Sequence, residues 1–109
     1  MVALQYEFDA PLWSWSPGQA DSWVFVGLPE EVADEVLDLA APYTRGFGSL
    51  RVEAEIGATV WRTSVFPSAA RRTYALPVKR AVRVAERLVV GDTAHVRLRL
   101  LDVEAPRRT

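Results

Sequence analysis

The chain contains no cysteine, which removes disulfides, thiolate metal sites and cysteine nucleophiles together. It has one histidine, His95, so imidazoles cannot gather around a metal ion, and no cluster of inward carboxylates takes their place. An excess of one charge is also missing. Thirteen basic and 14 acidic residues leave a net charge of -1, too little to draw the whole molecule to nucleic acid or an anionic membrane. No apolar run approaches the roughly 20 residues that cross a bilayer. Residues 1–9 lack the basic start and apolar core of a signal peptide. The expectation is a cytoplasmic protein that needs neither metal nor cofactor.

What is present is globular. Half of the 109 residues are hydrophobic and a quarter are charged, enough for one packed core and too short for two. The sequence predicts a single domain over 1–109, with the ordered core from about 2 to 104 and a frayed tail over 105–109.

Period-two alternation dominates the chain. Leu4, Tyr6 and Phe8 alternate with Gln5, Glu7 and Asp9, predicting a half-buried strand that Pro11 ends. The proline-framed stretch from Pro11 to Asp21 reads as a loop, unusual in carrying Trp13 and Trp15. From Ser22 to Leu28 the run is apolar on both faces, as in a strand buried within a sheet. Pro29, Glu30 and Glu31 open a helix, with Val32, Val36 and Leu39 as its apolar stripe. A loop over 43–49 with two glycines leads to the cleanest strand, where Leu50, Val52, Ala54 and Ile56 face in against Arg51, Glu53 and Glu55.

Gly57-Ala58 then predicts a hairpin into a strand from Thr59 to Phe66, with Thr59, Trp61, Thr63 and Val65 on one face. After Arg71 and Arg72, a strand from Thr73 to Val78 groups Tyr74, Leu76 and Val78. A basic helix follows over Lys79–Leu88, with Val78, Ala81, Val82, Ala85 and Leu88 inward. The last strand runs from Thr93 to Val103, with His95, Arg97 and Arg99 outward. Six strands and two helices imply a mainly β fold, a small six-stranded β-barrel capped by two α-helices.

The order of these motifs resembles the bacterial family called domain of unknown function 1905. The matching features are Tyr6 and Phe8 in the opening strand, Val26-Gly27-Leu28-Pro29 before an acidic helix, and Gly57 followed by Trp61 to Pro67. Tyr74 to Arg80 entering the basic helix, and Gly91-Asp92 before the last strand, complete the pattern. The resemblance implies a split barrel, similar to the swapped-hairpin barrels of antitoxin and transition-state regulators, with no established activity. It also implies stand-alone chains or fusions to a domain associated with bacteriocin resistance. The loop holding Trp13 and Trp15 departs from the family pattern.

The densest mixture of polar and aromatic residues lies between Ile56 and Arg83. Arg62, Ser64, Lys79 and Arg83, with Thr63, supply cationic and hydroxyl donors suited to a carboxylate or phosphate. Trp61 and Tyr74 would form an apolar wall. The alternative keeps Trp61 and Tyr74 in the core while Arg62, Lys79 and Arg83 pair with Glu53, Glu55 and the first helix. Trp13 and Trp15 either cover one end of the barrel or stand as anchors for a protein contact. Ser64 and His95 are the only candidates for a nucleophile and base, and nothing in the pattern points them at each other. The sequence therefore favours a non-enzymatic module that binds a small anionic or aromatic ligand or another protein, including a homodimer partner. A DNA-binding regulatory barrel is the alternative, through the cations of the second helix, and a hydrolase-like enzyme comes third.

Overall fold

In a computed structural model the described residues are 4–14, 23–40, 48–68 and 73–101. Their strands are β1 (Gln5–Ser14), β2 (Val24–Gly27), β3 (Leu50–Ile56), β4 (Thr59–Ser68), β5 (Thr73–Pro77) and β6 (Thr93–Leu100). Two helices, α1 (Glu30–Ala40) and α2 (Arg80–Glu86), complete the order β1-β2-α1-β3-β4-β5-α2-β6. The strands form a closed barrel in the order β1-β2-β5-β4-β3-β6, and neighbours pair antiparallel throughout. Each strand thus has two neighbours, with β1 and β4 dividing theirs between successive stretches of the strand.

Alternation decides which side chains fill the interior. Phe8, Ala10 and Leu12 from β1, Val52 and Ala54 from β3, and Val96 and Leu98 from β6 all belong to one buried cluster. Small residues make room for large ones: Ala54 stands opposite Trp61 in the register, and both are buried. β1 and β4 close the ring by changing partners. β1 pairs with β6 from Gln5 to Pro11 and with β2 from Leu12 to Ser14. β4 pairs with β3 from Thr59 to Val65 and with β5 from Phe66 to Ser68.

Pro11 therefore does not end the first strand. It occupies the last position opposite β6, where the strand turns towards β2, so its missing N–H falls at the change of partner. Leu12 N donates to the carbonyl of Asp92 at 2.8 Å and Gly91 N donates to that of Leu12 at 2.9 Å, which pins this corner. Gly91 has φ of 98°, a value open to glycine.

The helices start at opposite ends of the antiparallel β2–β5 pair, α1 after β2 and α2 after β5. Leu28, just before α1, donates to the carbonyl of Tyr74 at 3.0 Å, and Val78, just before α2, donates to that of Val24 at 2.8 Å. Thr73 Oγ1 adds a 2.6 Å bond to the carbonyl of Leu28. α1 buries Ala33 and Val36; α2 buries Val82 but leaves Ala81 and Ala85, expected to face inward, exposed, since at about 100° per residue both fall to the same side of Val82, turned from the core. Arg87 ends α2 in the left-handed region, φ 56° and ψ 47°. The 43–47 part of the glycine-containing loop, Trp15, Arg71, Arg72 and the tail over 105–109 lie outside the described residues. No helix among the described residues is long and apolar enough to cross a membrane.

Candidate functional site

The exterior of the barrel has two unlike halves. On the β1-β6-β3-β4 side the outward positions are mostly charged, and the register sets opposite signs side by side. Asp9 faces His95, Glu7 faces Arg97, Arg97 faces Glu55, Arg99 faces Glu53, and Glu53 faces Arg62. The side chains use that register. Arg97 Nε reaches Glu7 at 3.3 Å and its Nη1 reaches Glu55 at 3.4 Å, while Arg99 Nη2 reaches Glu53 at 3.0 Å and Arg62 Nε reaches Glu53 at 3.5 Å. Such exposed pairs are individually weak; here they line up across four strands as two neighbouring runs, Glu7–Arg97–Glu55 and Arg99–Glu53–Arg62. A shallow groove of about 430 Å³, open to solvent, runs along it between Gln5, Glu7, Glu53, Glu55, Arg97 and Arg99.

His95 lies outward as the alternation requires, and it is held from both sides. Its Nδ1 is 2.6 Å from Asp9 Oδ1 and its Nε2 bonds Glu7. Ionised carboxylates only accept, so both ring nitrogens must donate and the imidazolium is the form that fits. The bond from Glu7, then that from Asp9, holds His95 above the ordinary imidazole value. The bond from His95, then that from Arg97, holds Glu7 below the ordinary carboxylate range. Arg99, with Arg62 behind it, lowers Glu53 in the same way. The two acids lie on opposite nitrogens of one ring, so the three groups do not converge on a single ion. Among the described residues no group of three such side chains could hold a metal.

The β1-β2-β5-β4 side carries no charge at its outward positions among the described residues. Trp13 on β1, Phe25 on β2 and Ala75 on β5 form a second buried cluster, separate from the barrel core. Trp13 stacks on Phe25 with ring centroids 5.0 Å apart, and Trp23 stacks on the same Phe25 at 6.1 Å. Trp23 remains 67% exposed, and Phe66, opposite Ala75 in the register, 42%.

The six residues expected to make one ligand pocket are not brought together. Trp61 and Tyr74 are 7% and 5% exposed inside the barrel core. Burial pushes the Tyr74 hydroxyl above its usual value. Arg62 and Ser64 point outward from β4, and Arg62 takes part in the ladder. Arg83 turns its Nε back to the carbonyl of Val78 at 3.0 Å, while Lys79 is exposed at the start of α2. Ser64 stands level with Arg51 on β3, beyond the Val52–Leu100 pair, whereas His95 lies towards the other end of β6. At about 3.3 Å per residue the two are some 20 Å apart along the sheet, too far to share a proton.

Trp13 is part of a strand and not of a loop, because the strand continues through Pro11. The aromatic face that it joins had one trace in the sequence, the run over Trp23–Val26 that is apolar on both sides. The carboxylate partners of His95 had none, since they come from the strand farthest away in the chain.

A family model described as Domain of unknown function (DUF1905) matches residues 8–98. The chain belongs to this family. The DUF1905 match runs from Phe8 in β1 to Leu98 in β6 and so takes in both exterior halves. Two of its motifs have a local physical reason here. Gly57, with φ of 58°, turns the β3–β4 hairpin directly beneath the Glu86 carboxylate, and Gly91-Asp92 pins the β1 corner. No curated protein matches the sequence.

Proposed function

We propose that this DUF1905 domain is a non-enzymatic protein-interaction module whose contact face is the outer surface of β1, β2, β5 and β4. The carrying observation is the contrast between the two halves of one barrel: a ladder of paired charges on one side, and on the other an uncharged face with Trp23 and Phe66 exposed. Isolated exposed apolar residues are ordinary on a soluble surface, but an aromatic group on an uncharged sheet face is the composition of an interface core. A small ligand has less support. The aromatic residues suited to a pocket wall are inside the core, and the described groove is lined by charges that already neutralise one another.

In this reading the fold is a split barrel, with β1 and β4 as the strands that pass from one half-sheet to the other. The interaction is tested with a photoactivatable phenylalanine analogue at position 66, and at position 62 as a control on the charged half. The expected result in cells is a discrete adduct from position 66, identified by mass spectrometry as one partner, with none from position 62. Equal labelling from both positions, or none from 66, overturns the proposal.

A further inference from the structure

The uncharged face is framed by charges of opposite sign. β2 and β5 are antiparallel neighbours at its centre, and each runs into a helix at its own end. β2 leads through Leu28 and Pro29 into the exposed acids Glu30 and Glu31, which open α1. β5 leads through Val78 into the exposed cations Lys79 and Arg80, which open α2. Among the described residues one end of the face is therefore acidic and the other basic.

Along β2 the relief is also unequal. Trp23 projects at the end near α2, Phe25 lies in the middle under the indole, and Gly27 at the α1 end has no side chain. A Cβ at Gly27 would only reach ordinary contact distance, 3.4 Å from the Thr73 methyl and 3.9 Å from the Trp13 indole nitrogen. The position is a low point bounded by those two groups.

We propose that the face pairs with a second copy of itself, turned end for end about a two-fold axis across the strands. This rests on the interaction reading above and names its partner. In that arrangement Trp23 of each copy enters the low point at Gly27 of the other, and the axis passes over the buried Phe25 of each copy. Glu30 and Glu31 of each copy face Lys79 and Arg80 of the other, twice over by symmetry. A two-fold contact requires such self-complementarity, with each residue meeting its counterpart reciprocally. A parallel stacking of the same faces would instead oppose acid to acid and base to base, which the charges disfavour. With Trp23 and Phe66 as its exposed aromatic anchors, the contact is expected to give a weak dimer.

The test is a charge swap read by sedimentation velocity on the purified chain. One variant carries Glu30→Lys and Glu31→Lys, the other Lys79→Glu and Arg80→Glu. The expected result is a concentration-dependent dimer for the wild type between about 5 and 500 µM, monomers for each variant alone, and a heterodimer when the two are mixed. Trp23→Lys, whose ring is already exposed, serves as an uncharged-face control: it abolishes the dimer while circular dichroism stays as in the wild type, and Trp23→Phe restores association. A wild type that stays monomeric throughout, a dimer indifferent to Trp23→Lys, or variants that fail to pair when mixed overturns self-pairing. If the purified chain is monomeric while position 66 cross-links to a different protein, the self-pairing falls and the interaction reading stands. If position 66 forms no adduct, both fall.

Discussion

Glu86 lies across Gly57. A Cβ built on Gly57 would overlap the Glu86 carboxylate, whose other oxygen accepts a 2.6 Å bond from Thr59 Oγ1 at the start of β4. The last residue of α2 is thus tied to the turn of the β3–β4 hairpin, and the turn itself holds Gly57 at φ 58°. The contact joins the end of the second helix to the β3–β4 hairpin, alongside the burial of Val82 in the core.

Gly57→Ala has two separable costs. The left-handed backbone costs about 1–2 kcal/mol for a residue with a Cβ. Displacing the flexible Glu86 side chain then loses the Thr59 bond, about 1 kcal/mol. Urea unfolding of Gly57→Ala, Glu86→Ala and the double variant measures the second part as a coupling of about 1 kcal/mol. Additive effects would show that the turn and the helix act independently.

The ladder makes stability depend on pH in a window that the directions of the shifts define. His95 is raised in the folded state, so its contribution is full below the unfolded value near 6.5 and is lost as pH rises through the folded one. Glu7 and Glu53 are lowered, so their contribution is full above about 4.5 and is lost as pH falls through their folded values. The thermal midpoint is therefore expected to be highest between about pH 4.5 and 6.5 and to decline on both sides. His95→Gln should remove the decline above about pH 6.5 and shrink the Glu7 part of the acid limb, leaving the Glu53 part in place. An unchanged profile would show that the imidazole between Glu7 and Asp9 contributes nothing measurable.

Trp61 and Arg62 are neighbours in sequence with opposite fates. Trp61→Ala opens a cavity in the barrel core and should cost about 3–5 kcal/mol. Arg62→Ala removes one exposed partner of Glu53 and should cost less than about 1 kcal/mol. Chemical denaturation of the two variants checks this. Similar losses would place both residues in one environment.

Arg87 holds a backbone conformation that suits glycine. It is left-handed at the end of α2, where its N–H bonds the carbonyls of Arg83 and Val84. Arg87→Gly keeps those bonds, relieves the Cβ and should raise stability by about 0.5–1 kcal/mol. A loss on substitution would mean that the arginine side chain holds the helix end in place.

Much of the barrel was legible because alternation is local. Leu50, Val52, Ala54 and Ile56 point inward on the pattern of their own strand, and Gly57-Ala58 marks the hairpin without reference to anything distant. The candidate site was less legible. Alternation sets Trp61 and Arg62 on opposite faces of their strand, but it does not tell which face is the inside, so a pocket wall and a core position both remain open for Trp61 and Tyr74 until the barrel closes. Pro11 was read as a stop because a proline ends a ladder in mid-sheet, yet it is accommodated where β1 changes partner.

The sequence by itself determined the number and order of strands and helices, most of the inward set and the exclusion of thiol and imidazole-cluster chemistry, since these follow from residue type and short-range period. Only the tertiary structure decided that Glu7 and Asp9 would enclose His95 from 88 and 86 positions away. It also decided that one half of the exterior would be a charge ladder and the other an uncharged aromatic face. Both depend on which strands become neighbours when the barrel closes. That choice is made by the packing of all six strands together, and no window along the chain contains it.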